Sequence, residues 1–300
     1  MPEGKLGALT PRGFFSIPPG ELRWQAEDSA WDLAARITGC TPRMVERQRI
    51  RAVPNGKSFA STEIDTPLHN DLQLYLGRLA DLQILACVRP AERGGESALL
   101  DTRPLLRELE ASEPGLFSAL FEVARRFPFV AGSVDSPTVA LFDDRLAFLH
   151  SPRLAPGDLV GERIREAVNR RQPVRFAIAA GEILVVDNHR TLHGRAAFEG
   201  GDRELIRLLV WLPDPCGRVA PSDWVARASR SPARPSTVEL SPAAAQRLDL
   251  VLRMIAGTSP GALARATPGG EGELYRMRDV ALRAALEALG RCDNDRGSDR

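Results

Sequence analysis

Gly181-Glu182-Ile183-Leu184-Val185-Val186-Asp187-Asn188-His189-Arg190-Thr191-Leu192-His193-Gly194-Arg195 is the stretch on which the reading of this chain turns. Ile183–Val186 is short and apolar, bounded by Gly181 and by Asp187-Asn188, and so predicts a buried strand. His193 follows just past the end of that strand, at a barrel mouth on this reading. A second strand is predicted over Arg203–Leu212. Its even spacing sets Arg203, Leu205, Arg207, Leu209 and Trp211 on one face. Two arginines on an inward face are costly unless anions meet them, either internal carboxylates or a bound ligand.

The partner of His193 lies far upstream, at His69-Asn70-Asp71. In extended chain, residues two apart point to the same side, so His69 and Asp71 present an imidazole and a carboxylate to one point. A His-x-Asp pair alone is common. Joined to His193 it completes two imidazoles and one carboxylate, a transition-metal donor set with open positions, of the kind that holds non-heme Fe(II).

Outward from these two stretches, the pattern is strand-rich. Asp71–Tyr75 alternates, Leu82–Val88 reads as a buried strand, and Gly94-Gly95 makes a turn into extended Glu96–Asp101. Thr138–Phe142 and Arg145–His150 flank Asp143-Asp144 as a hairpin, and Pro173–Ile178 is a further strand. Helices are expected near Ser29–Ile37, over Pro104–Leu109, over Pro114–Ala124 with Ser112 as its cap, and within Gly157–Arg171. Many short strands between Gly and Pro turns predict a mainly β protein, a barrel or sandwich with flanking helices. Pro213–Pro235 reads as a linker. Beyond it, Ser241–Ala256, Ser259–Arg265 and Glu271–Leu289 have helical periodicity. The expected division is a domain over 1–235, a helical module over 236–290, and a polar tail over 291–300.

Composition narrows the partners. Three hundred residues carry 40 basic and 39 acidic side chains, which gives no electrostatic reason for nucleic acid or an anionic membrane. Met1–Gly20 holds no long apolar stretch, so no signal peptide is expected, and no run is long enough to span a bilayer. Cys40, Cys87, Cys216 and Cys292 are widely spaced without a CxxC pair, which suits reduced thiols in the cytoplasm.

Several blocks, in order over residues 60–212, resemble the taurine dioxygenase/TfdA superfamily, with its clavaminate synthase-like and asparagine oxygenase-like branch most similar. They are Thr66-Pro67-Leu68-His69-Asn70-Asp71, Gly94-Gly95-Glu96-Ser97, Gly181–Asn188, Leu192–Phe198 and Gly201–Arg207. The resemblance implies a double-stranded β-helix, or jelly roll, and dependence on Fe(II), 2-oxoglutarate and O2. It implies that His69, Asp71 and His193 ligate the iron, and that Arg203 clamps the distal carboxylate of 2-oxoglutarate. Ser97 stands where the family usually has a threonine whose hydroxyl assists that clamp. Arg207 matches an arginine that meets a substrate anion. From strand pleating, Asn70 points the other way from His69 and Asp71, and it would still border the substrate.

The implied chemistry is hydroxylation of an aliphatic C–H on a small carboxylate-bearing substrate, an amino acid or derivative, free or carrier-bound, with release of succinate and CO2. Asp71 fills the position that halogenases of the superfamily leave to halide, so oxygen transfer is the default. Two departures bear on substrate identity: the amino-acid hydroxylases of this branch mostly carry Glu rather than Asp at that position, and the loop from His193 to Arg203 is shorter here. On this reading His189 takes a surface role or supports the metal ligands, His150 packs in the core or its hairpin, Arg195 supports the ligands or makes a structural ion pair, and Arg43, Arg47, Arg49 and Arg51 form a solvated face or a lid. Residues 241–289 weakly resemble a transposase-like helix-turn-helix. That keeps an alternative open, an oxygen- or 2-oxoglutarate-sensing regulator, although the unit's balanced charge is poor for DNA.

Overall fold

Strand order decides where the inward side chains meet. The computed structural model describes residues 6, 9–52, 62–72, 79–129, 132–142, 144–200, 202–213, 220–233 and 235. The elements in chain order are α1 (Leu9–Arg12), β1 (Phe14–Ile17), α2 (Ala30–Thr38), β2 (Met44–Arg51), β3 (Thr66–His69), β4 (Leu82–Arg89), β5 (Arg93–Gly94) and β6 (Ser97–Asp101). Then come α3 (Thr102–Ser112), α4 (Pro114–Glu122), β7 (Arg125–Phe129), β8 (Gly132–Ser136), β9 (Val139–Phe142), β10 (Arg145–Phe148) and α5 (Leu159–Asn169). The last are β11 (Val174–Phe176), β12 (Ile183–Asp187), β13 (Thr191–Arg195), β14 (Phe198–Glu199), β15 (Glu204–Trp211) and α6 (Ser222–Arg230).

Two antiparallel sheets form the core. One is five-stranded, in the order β1-β12-β4-β15-β2, and the other four-stranded, in the order β11-β6-β13-β3. Among the described residues they remain two sheets packed as a jelly roll, and no barrel closes. β12 is buried at all five positions because both of its faces are covered. Ile183 and Val185 join Leu82, Ile84, Ala86, Ile206 and Leu208 on the outer face, under α2. Leu184 and Val186 turn inward to meet Leu99 of the other sheet, with Cys87, Leu205 and Ile50. Truncating one of these buried aliphatics to Ala costs about 2–5 kcal/mol.

α2 forms where the sequence places it. Ala30, Leu33, Ala34 and Ile37 make one apolar stripe, Ser29 Oγ accepts from Asp32 N, and Gly39 ends the helix at φ 76°. The four-stranded sheet hides its outer face, including Leu100 and Leu192, under α3, α4, α5 and α6.

Several expectations change. His193 does not stand beyond a strand at a barrel mouth. It lies within β13, a strand too polar (Thr-Leu-His-Gly-Arg) to register as apolar alternation. β3 ends at His69, so the expected strand over 71–75 does not begin at Asp71, and residues 73–78 lie outside the described ones. Ser112 ends α3, its Oγ donating to Glu108 O, and the cap of α4 is Glu113. The β7–β8 hairpin was not expected. The stretch 213–235 is not simply a linker, because α6 buries Trp224 against Phe117. The helical module over 236–290 and the tail over 291–300 lie outside the described residues.

Candidate metal centre

β3 and β13 are neighbours, and His69 pairs in register with His193. Both side chains therefore leave the same inner face of the four-stranded sheet, with ring centroids 4.4 Å apart. His69 Nδ1 donates to Pro67 O at 2.9 Å, which directs its Nε2 lone pair into the site. Asp71 lies past the end of β3, so pleating alone does not aim it. A polar clasp does. Asp71 N donates to Asn188 Oδ1 at 3.0 Å, and Asn188 Nδ2 donates to Asp71 O at 3.0 Å and to Ala80 O at 3.1 Å. One ligand atom from each of His69, Asp71 and His193 then falls within 4.8 Å of the other two. Ligand atoms about 2.1 Å from one ion lie about 3 Å apart at right angles, so the three side chains would draw closer to share one.

The electrostatics favour a cation. Burial alone would raise the Asp71 carboxyl, but Arg207, the two imidazoles and the Gln83 amide outweigh it and hold it down at about 2. Burial, reinforced by His69, depresses His193 to about 3, so its ring is neutral and its lone pair available. An ionised carboxylate beside a neutral imidazole is the protonation state a metal requires.

Next to these groups is a pocket of about 90 Å³, lined by His69, Gln83, Ser97, His193, Arg203 and Arg207 among others. Arg203 is 7% exposed and stacks on the Phe198 ring at 5.2 Å. Arg195 lies over the same ring at 4.7 Å. Burial, then repulsion from Arg195, lowers the Arg203 guanidinium to about 10. Among the described residues Arg203 has no carboxylate partner. Gly94, which ends β5, and Gly95 after it make room for this arrangement. Both glycines have positive φ, a Cβ on Gly94 would come 2.3 Å from Ala197 O, and one on Gly95 would touch Arg203 Nε at 3.4 Å. Ser97, buried on β6, lines the same pocket.

Arg207 is placed differently. Its Nη1 donates to Asp71 Oδ1 at 2.9 Å and its Nη2 to Gln48 Oε1 at 2.5 Å. Asn70 was expected beside the substrate, but it does not line the pocket. It is 3% exposed, its Nδ2 donates to Asn188 O, and its Oδ1 accepts from His150 N. It braces the ligand loop. His189 is buried, with Asp81 3.8 Å from its Nε2.

Sequence reasoning missed Asn188, Gln83, Gln48 and Glu46. On β2 the arginines do face outward, where Arg49 and Arg51 pair with Glu204. The alternate side, Glu46, Gln48 and Ile50, faces inward. Burial raises the Glu46 carboxyl against the pull of Arg207. The period-2 alternation of β2 carried that signal, masked by its three arginines.

These features define a jelly-roll fold with a candidate metal centre and a cationic pocket beside it. The chain belongs to the taurine catabolism dioxygenase TauD, TfdA family, whose profile matches residues 31–173 and 140–209. An L-asparagine oxygenase of Streptomyces coelicolor is 29% identical over 178 residues, which is 54% of this chain and 53% of that one. The chain thus spans about half the length of the curated relative it matches. Among solved structures, an asparagine oxygenase in complex with Fe(II), 2S,3S-3-hydroxyasparagine and succinate superposes with a TM-score of 0.55 at 19% identity, over 69% of this chain and 77% of that one. PvcB, an Fe, alpha-ketoglutarate dependent oxygenase from an isonitrile synthetic pathway, gives 0.50 at 17% identity, over 68% and 77%. Both share the fold.

Proposed function

We propose that this chain is an Fe(II)- and 2-oxoglutarate-dependent oxygenase that hydroxylates an aliphatic C–H of a small carboxylate-bearing substrate, an amino acid or derivative. One observation carries the reading. Three metal-competent atoms converge beside a buried guanidinium that has no carboxylate partner among the described residues. A desolvated arginine of this kind is a site for an anion.

His69, Asp71 and His193 would hold the iron. When bound, iron with 2-oxoglutarate supplies the oxidising power, the co-substrate losing CO2 and becoming succinate. Arg203, backed by the Phe198 ring, would seat the distal carboxylate of 2-oxoglutarate through a forked contact, with the Ser97 hydroxyl assisting. Charges then balance: Fe(II) and Arg203 against Asp71 and the 2-oxoglutarate dianion. Arg207, held against Asp71 and Gln48, would meet the carboxylate of the substrate. The apolar neighbours Leu205 and Ile50, both buried, and the half-buried Leu85 keep water from the reacting carbon. The asparagine oxygenase likeness favours a free amino acid over a carrier-bound one, and the cytoplasm is the compartment that keeps iron ferrous.

The test is anaerobic addition of Fe(II) and 2-oxoglutarate, followed in the visible range, then a succinate-release screen over amino acids with products weighed by mass spectrometry. A weak charge-transfer band, lost in His69→Ala, and substrate-stimulated succinate are expected. A featureless spectrum identical in wild type and His69→Ala would remove the reading.

A further inference from the structure

Gln83 stands on β4, on the inner face of the five-stranded sheet, across from the two imidazoles. The residue is 2% exposed. Nε2 donates to Asp71 Oδ2 at 2.5 Å and to His193 Nε2 at 2.9 Å. Those two acceptors are themselves 3.6 Å apart. They are the lone pairs a metal ion would take, at about 2.1 Å from each. The amide N–H groups fill the space between them, so amide and ion exclude each other. The other end of the same amide, Oε1, is buried and has no hydrogen-bond partner. The group is therefore satisfied only on the side that faces the metal ligands.

β4 cannot move back to make room. Gln83 pairs with Val186 of β12 on one edge and Leu209 of β15 on the other. Only the side chain can turn, and it turns within the pocket that Leu85 and Arg207 also line.

Resting on the reading of His69, Asp71 and His193 as metal ligands, we propose that Gln83 is a plug on the metal site. In the metal-free chain its amide stands in for the cation, neutralising part of the Asp71 charge and fixing the His193 ring with its proton on Nδ1. It thereby keeps the ligands assembled. Metal enters by breaking both hydrogen bonds and turning the carboxamide toward the substrate side. The metal-free fold gains order, and the affinity for the ion is lowered.

The experiment is a metal titration under nitrogen, with Fe(II) and with Co(II) as an optically visible replacement. It compares wild type, Gln83→Leu, Gln83→Met and His69→Ala, each checked for folding by circular dichroism. Leu and Met keep the volume and remove the donor. Both are expected to bind metal about tenfold tighter than wild type, about 1.4 kcal/mol, because one net charge-assisted hydrogen bond no longer has to be broken. Metal binding by these variants but not by wild type also supports the plug. Equal or weaker binding by the variants, with wild type binding and His69→Ala not, would overturn the plug and leave the metal site standing. Binding by none of the four would overturn both. A residue that merely filled space would leave the metal affinity unchanged. If Gln83→Leu does not fold, the unbranched Gln83→Met decides.

Discussion

Replacing Arg203 by Met should move stability and co-substrate affinity in opposite directions. Arg203 is 7% exposed and meets no carboxylate among the described residues. Its depression from 12.5 to about 10 corresponds to about 3 kcal/mol of desolvation and repulsion from Arg195. The stacking contact with Phe198 at 5.2 Å returns about 1 kcal/mol. An unbranched apolar chain of similar length removes both terms, so the metal-free fold should gain about 1–2 kcal/mol. Binding of 2-oxoglutarate should lose about 2–5 kcal/mol, the cost of truncating one partner of a buried hydrogen-bonded charge pair. Urea denaturation of the metal-free protein reads the first quantity. Titration of 2-oxoglutarate into the anaerobic Fe(II) form, followed by its visible band, reads the second. A variant that unfolds several kcal/mol more easily would show that Arg203 already has a strong partner, and the reasoning for an anion site would fail. A variant with unchanged 2-oxoglutarate affinity would move that site elsewhere.

Asn188→Ala removes the clasp on Asp71 and leaves the Asp71 N–H and the Ala80 carbonyl short of a partner. It should weaken Co(II) binding by about 10–100-fold, as loss of a group that orients a ligand does, and an isothermal titration showing wild-type affinity would refute the clasp. Ser97→Ala should raise the KM for 2-oxoglutarate several-fold with little change in kcat, and Ser97→Thr should restore it; this presumes about 1 kcal/mol for one hydroxyl hydrogen bond. Acid should destabilise the fold in two windows. Burial, then Arg125, His69 and Arg165, depresses His150 to about 3, below an unfolded value near 6.5. The unfolded chain therefore takes the proton first, and stability falls as pH drops from 6.5 toward 3, by up to about 1.4 kcal/mol per pH unit. His150→Phe keeps the backbone bonds to Asn70 and should flatten that slope in urea titrations at stepped pH. His193 adds the same sign over the same window. Asp71, held at about 2, contributes stability that is complete above about 3.9 and is lost as pH falls toward 2.

Much of this protein is legible along the chain. Apolar runs such as Ile183–Val186 and Leu82–Val88 announce strands because burial on both faces leaves only apolar side chains there. Ser29 and Gly39 bracket α2 because backbone ends need an acceptor and a left-handed residue. The donor set His69, Asp71 and His193 is readable because few residue types ligate a metal, and its halves sit in recognisable blocks. What the chain does not carry is how distant polar side chains meet. β13 is a strand only because β3 and β6 hydrogen-bond to its two edges. Asp71 is aimed by Asn188, 117 positions away, and not by strand pleating. Gln83 reads as a misplaced polar residue in an apolar strand until the sheets are stacked and its amide lands between two ligand atoms. Local periodicity reports which face of an element is apolar. Which polar group stands opposite which is settled by strand order and register, and those exist only once the two sheets have closed on each other.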